Sequence, residues 1–237
     1  MSNKEKVQEG SKRSKNGYIK ITHPAWLSGN MSIKVLASYA KEYASGRLID
    51  IGCGTKPYEK LFAPYIIEHV GADHNEMFHN KDNVDIFADA YSIPVADNSF
   101  NSALSTSVLE HLEEPQKAFD EVYRILDNGG VLLLSVPFLY HLHEQPRDFY
   151  RYTTYGLQYL AENAGFKIAV TKTTGGFASF VATEIAYMIY YSTRFILLRP
   201  FGFLLMNIVL LFGWLFNKID FTKKRLPQDY CCVFIKE

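Results

Sequence analysis

Two stretches of the chain concentrate groups that could do chemistry. The first is Leu48-Ile49-Asp50-Ile51-Gly52-Cys53-Gly54-Thr55-Lys56-Pro57, an apolar run that breaks into glycines and then a proline. Gly52 and Gly54 let the backbone turn tightly and approach a ligand with no side chain in between. Asp50 puts a carboxylate where a dinucleotide's pyrophosphate would sit. A carboxylate repels phosphate and attracts an amine, so a ligand cationic at this end is expected. Asp73 follows Gly52 at the spacing of about 20 residues where an acid takes ribose hydroxyls. Asp89, after a further short apolar run, is placed to accept from an adenine amino group.

The second stretch runs from Pro137 to Tyr152 and mixes histidines, acids, arginines and aromatics. His143 is its best base candidate, because an imidazole titrates near neutrality. Arg147 or Arg151 could hold an anionic group such as a carboxylate or phosphate. Tyr140 and Tyr150 complete a candidate acceptor-binding set with His143, Arg147 and Arg151. The competing reading is structural: Arg147 and Asp148 pair to hold the loop, and Tyr150 and Tyr152 pack. Glu110-His111 is read as the start of a connection rather than an acid/base pair.

These residues need elements to position them, and the chain supplies an alternation. Short apolar runs at Arg47–Ile51, Glu68–Ala72, Val84–Phe87, Ser102–Thr106 and Val131–Val136 read as strands. Helical apolar spacing marks Ser32–Ala44, Glu114–Leu126 and Thr153–Ala164, the second ended by Asn128-Gly129-Gly130 and the third by Gly165. Phe166–Thr171 and Tyr230–Ile235 are the last strands. The alternation predicts an α/β fold: a doubly wound, mostly parallel sheet with helices on both faces. Ligands in such sheets bind outside the carboxyl ends of the strands, where strand order reverses. Both chemical stretches follow strands and belong at that edge.

From Gly46 to Ile168 the chain resembles the class I S-adenosylmethionine-dependent methyltransferases, whose sheet is Rossmann-like. The motifs that carry the resemblance are Leu48–Gly54, Gly71-Ala72-Asp73, Ala88-Asp89-Ala90, Ile93-Pro94 with Asn98-Ser99-Phe100, Val108–Leu112 and the double glycine between Leu126 and Leu134. The loop departs from the dinucleotide fingerprint in having Lys56-Pro57 instead of a third glycine. The resemblance implies S-adenosylmethionine as cofactor and an antiparallel last strand. It also implies that Asp50, Gly52, Cys53 and Gly54 hold the methionine part, Asp73 the ribose, and Asp89 with Ala90 the adenine. Ser105 and Thr106 would line the sulfonium end. The expected reaction is methyl transfer to a small or lipid-linked acceptor, at a hydroxyl. The rival readings are a nicotinamide-dependent oxidoreductase and a non-catalytic, membrane-attached cofactor-binding protein.

Composition narrows the setting. The 25 Lys and Arg balance 25 Asp and Glu, which provides no global field for nucleic acid. Cys53, Cys231 and Cys232 cannot build a disulfide framework, which suits a reducing compartment. No CxxC or HExxH occurs, and no metal is expected. Residues 1–20 read as a disordered basic tail without the apolar core of a signal peptide, and 21–237 as one domain. Within that domain, 177–216 form a hydrophobic helical insertion divided by Pro200, with only Glu184, Arg194 and Arg199 charged. This insertion, followed by the basic residues Lys218, Lys223, Lys224 and Arg225, is expected to attach a cytoplasmic protein to the inner face of a membrane; the competing reading is a lid or dimer contact that buries the same side chains in protein.

Overall fold

The computed structural model describes residues 17–75, 82–193, 195 and 197–237. The first sixteen residues of the expected tail lie outside this range. Gly17 is buried, and Ile19 exchanges backbone hydrogen bonds with the Asn30 side chain at 2.8 and 2.9 Å.

Helix α1 (Trp26–Tyr43) precedes β1 (Arg47–Ile51) and a one-turn helix α2 (Glu59–Phe62). Then come β2 (Glu68–Asp73), β3 (Ile86–Phe87), β4 (Phe100–Thr106), α3 (Pro115–Ile125), β5 (Leu126–Pro137), α4 (Thr154–Ala164) and β6 (Phe166–Thr174). Helices α5 (Phe177–Ser192) and α6 (Arg199–Ile219) intervene before β7 (Asp229–Lys236). The seven strands form one sheet in the order β3-β2-β1-β4-β5-β7-β6. All pair in parallel except β7, which runs antiparallel to both of its neighbours. Strand order reverses between β1 and β4, so the glycine loop after β1 and the connection after β4 open beside each other.

Two apolar layers cover the sheet. Phe119, Ile125, Leu157, Phe166 and Phe234 pack on one face, and Ile33, Leu36, Tyr39, Phe62 and Val233 on the other. The central strands are buried on both faces, which explains their unbroken apolar runs. Three boundaries differ from expectation. The double glycine does not stop a helix: α3 ends at Ile125 and β5 begins at once, with Leu126 opposite Phe100. The glycines instead accompany a register shift between Phe100 and Ser102. Strand β3 is short because Asp85 turns its side chain to Gly71 N at 2.7 Å and to Lys56. Helix α1 starts earlier, since Leu27 anchors its first turn against α5 and α6.

The end of β7 is fixed by a buried amine. Lys236 Nζ donates to the carbonyls of Tyr123 and Leu126 at 2.8 and 2.7 Å and to Asn98 Oδ1 at 2.7 Å. Lys236→Met would leave these acceptors without a donor, at a cost of about 2–3 kcal/mol. Urea denaturation of the two proteins measures that difference.

Candidate functional site

A cleft of about 670 Å³ opens along the carboxyl ends of β1, β2, β4 and β5. Its wall gathers residues distant in sequence: Asp50, Gly52–Gly54, Asp73, Asp89, Thr106, Tyr140, His143 and Arg147. Gly52 has φ +69°, and a Cβ there would stand 2.3 Å from the Val108 side chain. The turn therefore requires glycine for both conformation and space.

The acids at this end already have partners. Asp50 is buried, and its Oδ2 lies 3.1 Å from His69 Nε2. Burial pushes the Asp50 carboxyl up, against the pull of His69 and Lys56. Asp73 accepts from Gly54 N and His74 N, both at 2.7 Å, which ties the end of β2 to the glycine loop. Asp89 accepts from Tyr91 N at 3.1 Å. Cys53 is buried, and burial pushes its thiol up to about 12, so it presents a neutral wall.

The loop after β5 forms the other end of the cleft. His143 Nδ1 lies 3.3 Å from Asp148 Oδ2, and its Nε2 lies 3.6 Å from Glu110 Oε1. Burial would lower the His143 pKa, but these two carboxylates overcome it and raise it. A histidine held in this way is a poorer base than an isolated one. Tyr140 reaches Tyr187 of α5, hydroxyl to hydroxyl at 3.0 Å, and burial pushes its phenol up to about 12. Arg147 is exposed at the rim.

Four of the expected residues do not face the cleft. Ser105 and Ala90 line a small apolar gap against α3 with Ile51 and Phe119. Side chains alternate along a strand, so only Thr106 of the Ser105–Thr106 pair can point into the cleft. Tyr150 donates to the carbonyl of Glu113 at 3.0 Å, outside the cleft wall. Arg151 binds both oxygens of Asp148 at 2.6 and 2.8 Å and the carbonyl of His141. Arg151, rather than Arg147, is the partner of Asp148, and it holds the loop.

Other wall residues gave no chemical signal in sequence. Helix α1 contributes Ser28, Ser32 and Leu36, and α5 contributes Tyr187. Asp229, at the start of β7, is half-buried on this wall. Its Oδ2 accepts from Ser32 Oγ at 2.6 Å and Thr174 Oγ1 at 3.0 Å. Burial pushes its carboxyl up to about 6 despite those bonds.

Residues 49–134 match the family model described as a methyltransferase domain. An uncharacterised methyltransferase of Mycobacterium bovis is 27% identical over 108 residues, 42% of this chain and 42% of the relative. A malonyl-[acyl-carrier protein] O-methyltransferase of Hahella chejuensis is 32% identical over 114 residues, 42% of this chain and 39% of the relative. The chain thus spans about two fifths of the length of these curated relatives. Among solved structures, the [4+2]-cyclase SpnF superposes with a TM-score of 0.61 at 19% identity, covering 89% of this chain and 83% of its own. A Haemonchus contortus phospholethanolamine N-methyltransferase 2, bound to phosphomonomethylethanolamine and S-adenosylhomocysteine, gives 0.56 at 17% identity, over 87% and 52%. A fold that also serves a cyclase does not by itself fix the reaction. The family match sets the nicotinamide-dependent alternative aside.

Asp229 carries a pH dependence whose sign follows from its environment. Its folded pKa of about 6 exceeds the ordinary carboxylate value of about 4. Between these, the folded state keeps a proton that the unfolded state has lost, so stability falls as pH rises through the window. Asp229→Asn retains an acceptor for Ser32 and Thr174 and removes the titration. Its stability relative to the native protein should rise by roughly 2–3 kcal/mol between pH 4 and 7, as measured by denaturant titrations.

Proposed function

The chain belongs to the class I S-adenosylmethionine-dependent methyltransferases, and from that premise we propose that it methylates a hydroxyl of a lipid-linked acceptor at a membrane surface. The observation that carries this reading is the continuity of the cleft. Asp50, Asp73 and Asp89 line one end, while Tyr140, His143 and Arg147 line the other.

The residues fit the cofactor. The bare backbone at Gly52–Gly54 leaves room for a close ligand, and Asp73 beside it offers a carboxylate to a ribose. Asp50 and the glycine loop would hold the methionine part, and Asp89 the adenine. When bound, the cofactor supplies an electrophilic methyl group on a sulfonium. The chain's own residues align the acceptor and exclude water. Thr106, at the end of β4, lies between the two sets. Arg147, exposed at the rim and without an acidic partner within salt-bridge distance among the described residues, would bind an anionic part of the acceptor, such as the phosphate of a lipid carrier.

The lipid-linked reading rests on α5 and α6. One face of α6, through Gly202, Met206, Leu210 and Gly213, packs against the body of the protein. A Cβ at Gly213 would stand 2.3 Å from that of Ala182, so glycine is what lets the two helices approach so closely. The other face leaves Phe201, Leu204, Leu211, Phe212 and Phe216 each more than half exposed. Helix α6 is long and apolar enough to cross a membrane. A single crossing would prevent β7 from returning to pair with β5 and β6, so a hairpin lying in the interface is the arrangement proposed. Lys218, Lys223, Lys224 and Arg225 would meet anionic headgroups on the cytoplasmic side. Helix α5 also carries Tyr187 into the cleft, which links the apolar surface to the acceptor end.

Three results test this reading. Calorimetry with S-adenosylhomocysteine should give saturable binding that Asp73→Ala weakens by about 1–3 kcal/mol, and unchanged affinity would refute the site. Arg147→Ala should lower kcat/KM for an anionic acceptor roughly tenfold, about 1.4 kcal/mol, with S-adenosylhomocysteine affinity retained. The full-length protein should float with anionic liposomes, and Leu211→Glu with Phe212→Glu should abolish flotation without loss of fold.

A further inference from the structure

Glu110, His111 and His143 meet at the acceptor end of the cleft in a way that methyl transfer alone does not explain. The Glu110 side chain is wholly buried, and neither carboxylate oxygen has a hydrogen-bond partner among the described residues. His111 Nε2 is likewise buried without a hydrogen bond. A buried carboxylate needs a compensating positive charge. His143 Nε2 and His111 Nε2 stand 3.6 and 3.8 Å from Glu110 Oε1, too far for hydrogen bonds. A proton bridges one pair of atoms at hydrogen-bond distance, and neither pair is that close. The candidate ligand atoms of all three residues lie within 4.8 Å of one another. Atoms bound about 2.1 Å from one ion stand about 3–3.5 Å apart, so a slight inward movement of three side chains completes a site.

The far sides of both rings point to the same conclusion. His111 Nδ1 lies 2.6 Å from the Arg147 carbonyl, which can only accept, so that nitrogen carries the proton. His143 Nδ1 faces Asp148 Oδ2 at 3.3 Å and the His141 carbonyl at 3.4 Å, both acceptors. In the neutral form that binds a metal, each ring would therefore turn the lone pair of its Nε2 toward Glu110. Backbone carbonyls and carboxylates in these positions are the usual supports of metal-bound histidines.

We propose that Glu110, His111 and His143 bind one divalent transition-metal ion at the acceptor end of the cleft. Two imidazoles with one carboxylate favour zinc, cobalt or manganese over magnesium or calcium. Glu144, with Oε2 3.8 Å from His111 Nε2 and its side chain 45% exposed, stands at the open side of the site. The ion's role rests on the methyl-transfer reading: a bound acceptor hydroxyl gives up its proton to water and its oxygen keeps the electron pair. Ion binding itself does not rest on that reading. The expectation of no metal came from the absence of compact motifs; here the ligands come from two separate loops.

The test uses tag-free, full-length protein in detergent, stripped with a chelator and titrated with Co²⁺, Mn²⁺ and Zn²⁺. Calorimetry should show one ion per chain, and Co²⁺ should develop visible d–d absorption. Glu110→Gln, His111→Asn and His143→Asn should each weaken binding at least tenfold, while His141→Ala, outside the trio, should not. The ion should also raise the Tm of the native protein but not of the three variants, each first checked for a native circular dichroism spectrum. Absence of saturable binding to the native protein, or binding that all three variants retain, overturns the site. Parallel titration with S-adenosylhomocysteine separates the two readings. S-adenosylhomocysteine binding without the ion removes only the metal, whereas ion binding without S-adenosylhomocysteine removes only methyl transfer.

Discussion

Four carboxylates lie around one cleft, those of Asp50, Glu110 and Asp148 with almost no access to water, and much of the surrounding architecture answers to them. Asp50 is paired with His69 from the neighbouring strand, whose backbone lies in register with Leu48, two residues before that acid. Asp148 is gripped by Arg151 and by the backbone of His143, which folds the segment after β5 back on itself. Although burial acts upward on Asp148, these contacts hold it far below the usual carboxylate range. Asp229 receives only hydroxyls and stays partly protonated near pH 6. Glu110 receives neither hydroxyl nor amide and faces two imidazoles. An isolated buried charge costs several kcal/mol, so each acid dictates what stands next to it. The shape of the cleft follows from that requirement as much as from the sheet.

The part of this arrangement that follows strand periodicity was legible in the sequence. Apolar runs and glycine turns located the parallel strands, and the carboxyl-edge rule put Asp50, Asp73, Asp89 and Thr106 in one cleft. Expectation and structure part where a side chain's direction matters. Ser105 and Thr106 looked equivalent as neighbours, yet strand alternation sends Ser105 toward α3. Arg147 and Arg151 were equal candidates for an anion, and the intact Asp148–Arg151 pair makes one a brace and leaves the other at the rim. Asp229 and Tyr187 could not be found from pattern, because the strand and helix that bring them return from the far end of the chain. Ser32 reaches Asp229 across nearly the whole sequence. Glu110 was legible as a residue and misleading as a motif: its neighbour His111 suggests a local pair, whereas its environment is completed by His143 from the next loop.

The same long-range closure explains why the apolar helices belong to the site. Strand β7 must enter between β5 and β6, so the chain between β6 and β7 leaves and returns on one side of the sheet. Asp220, after α6, accepts from Ala178 N in the first turn of α5, and Thr222 Oγ1 accepts from Phe177 N. These bonds clamp the base of the hairpin next to Gly176. Leu27 of α1 then packs against Ala182, Ala186, Met206 and Leu210, so the hairpin is anchored to the helix that also supplies Ser28 and Ser32 to the cleft. A shift of the hairpin would be transmitted through α1 to the Ser32–Asp229 bond and through α5 to the Tyr140–Tyr187 contact. Helix α1 also packs against Tyr58 and Phe62 just after the glycine loop, so both ends of the cleft lean on one helix.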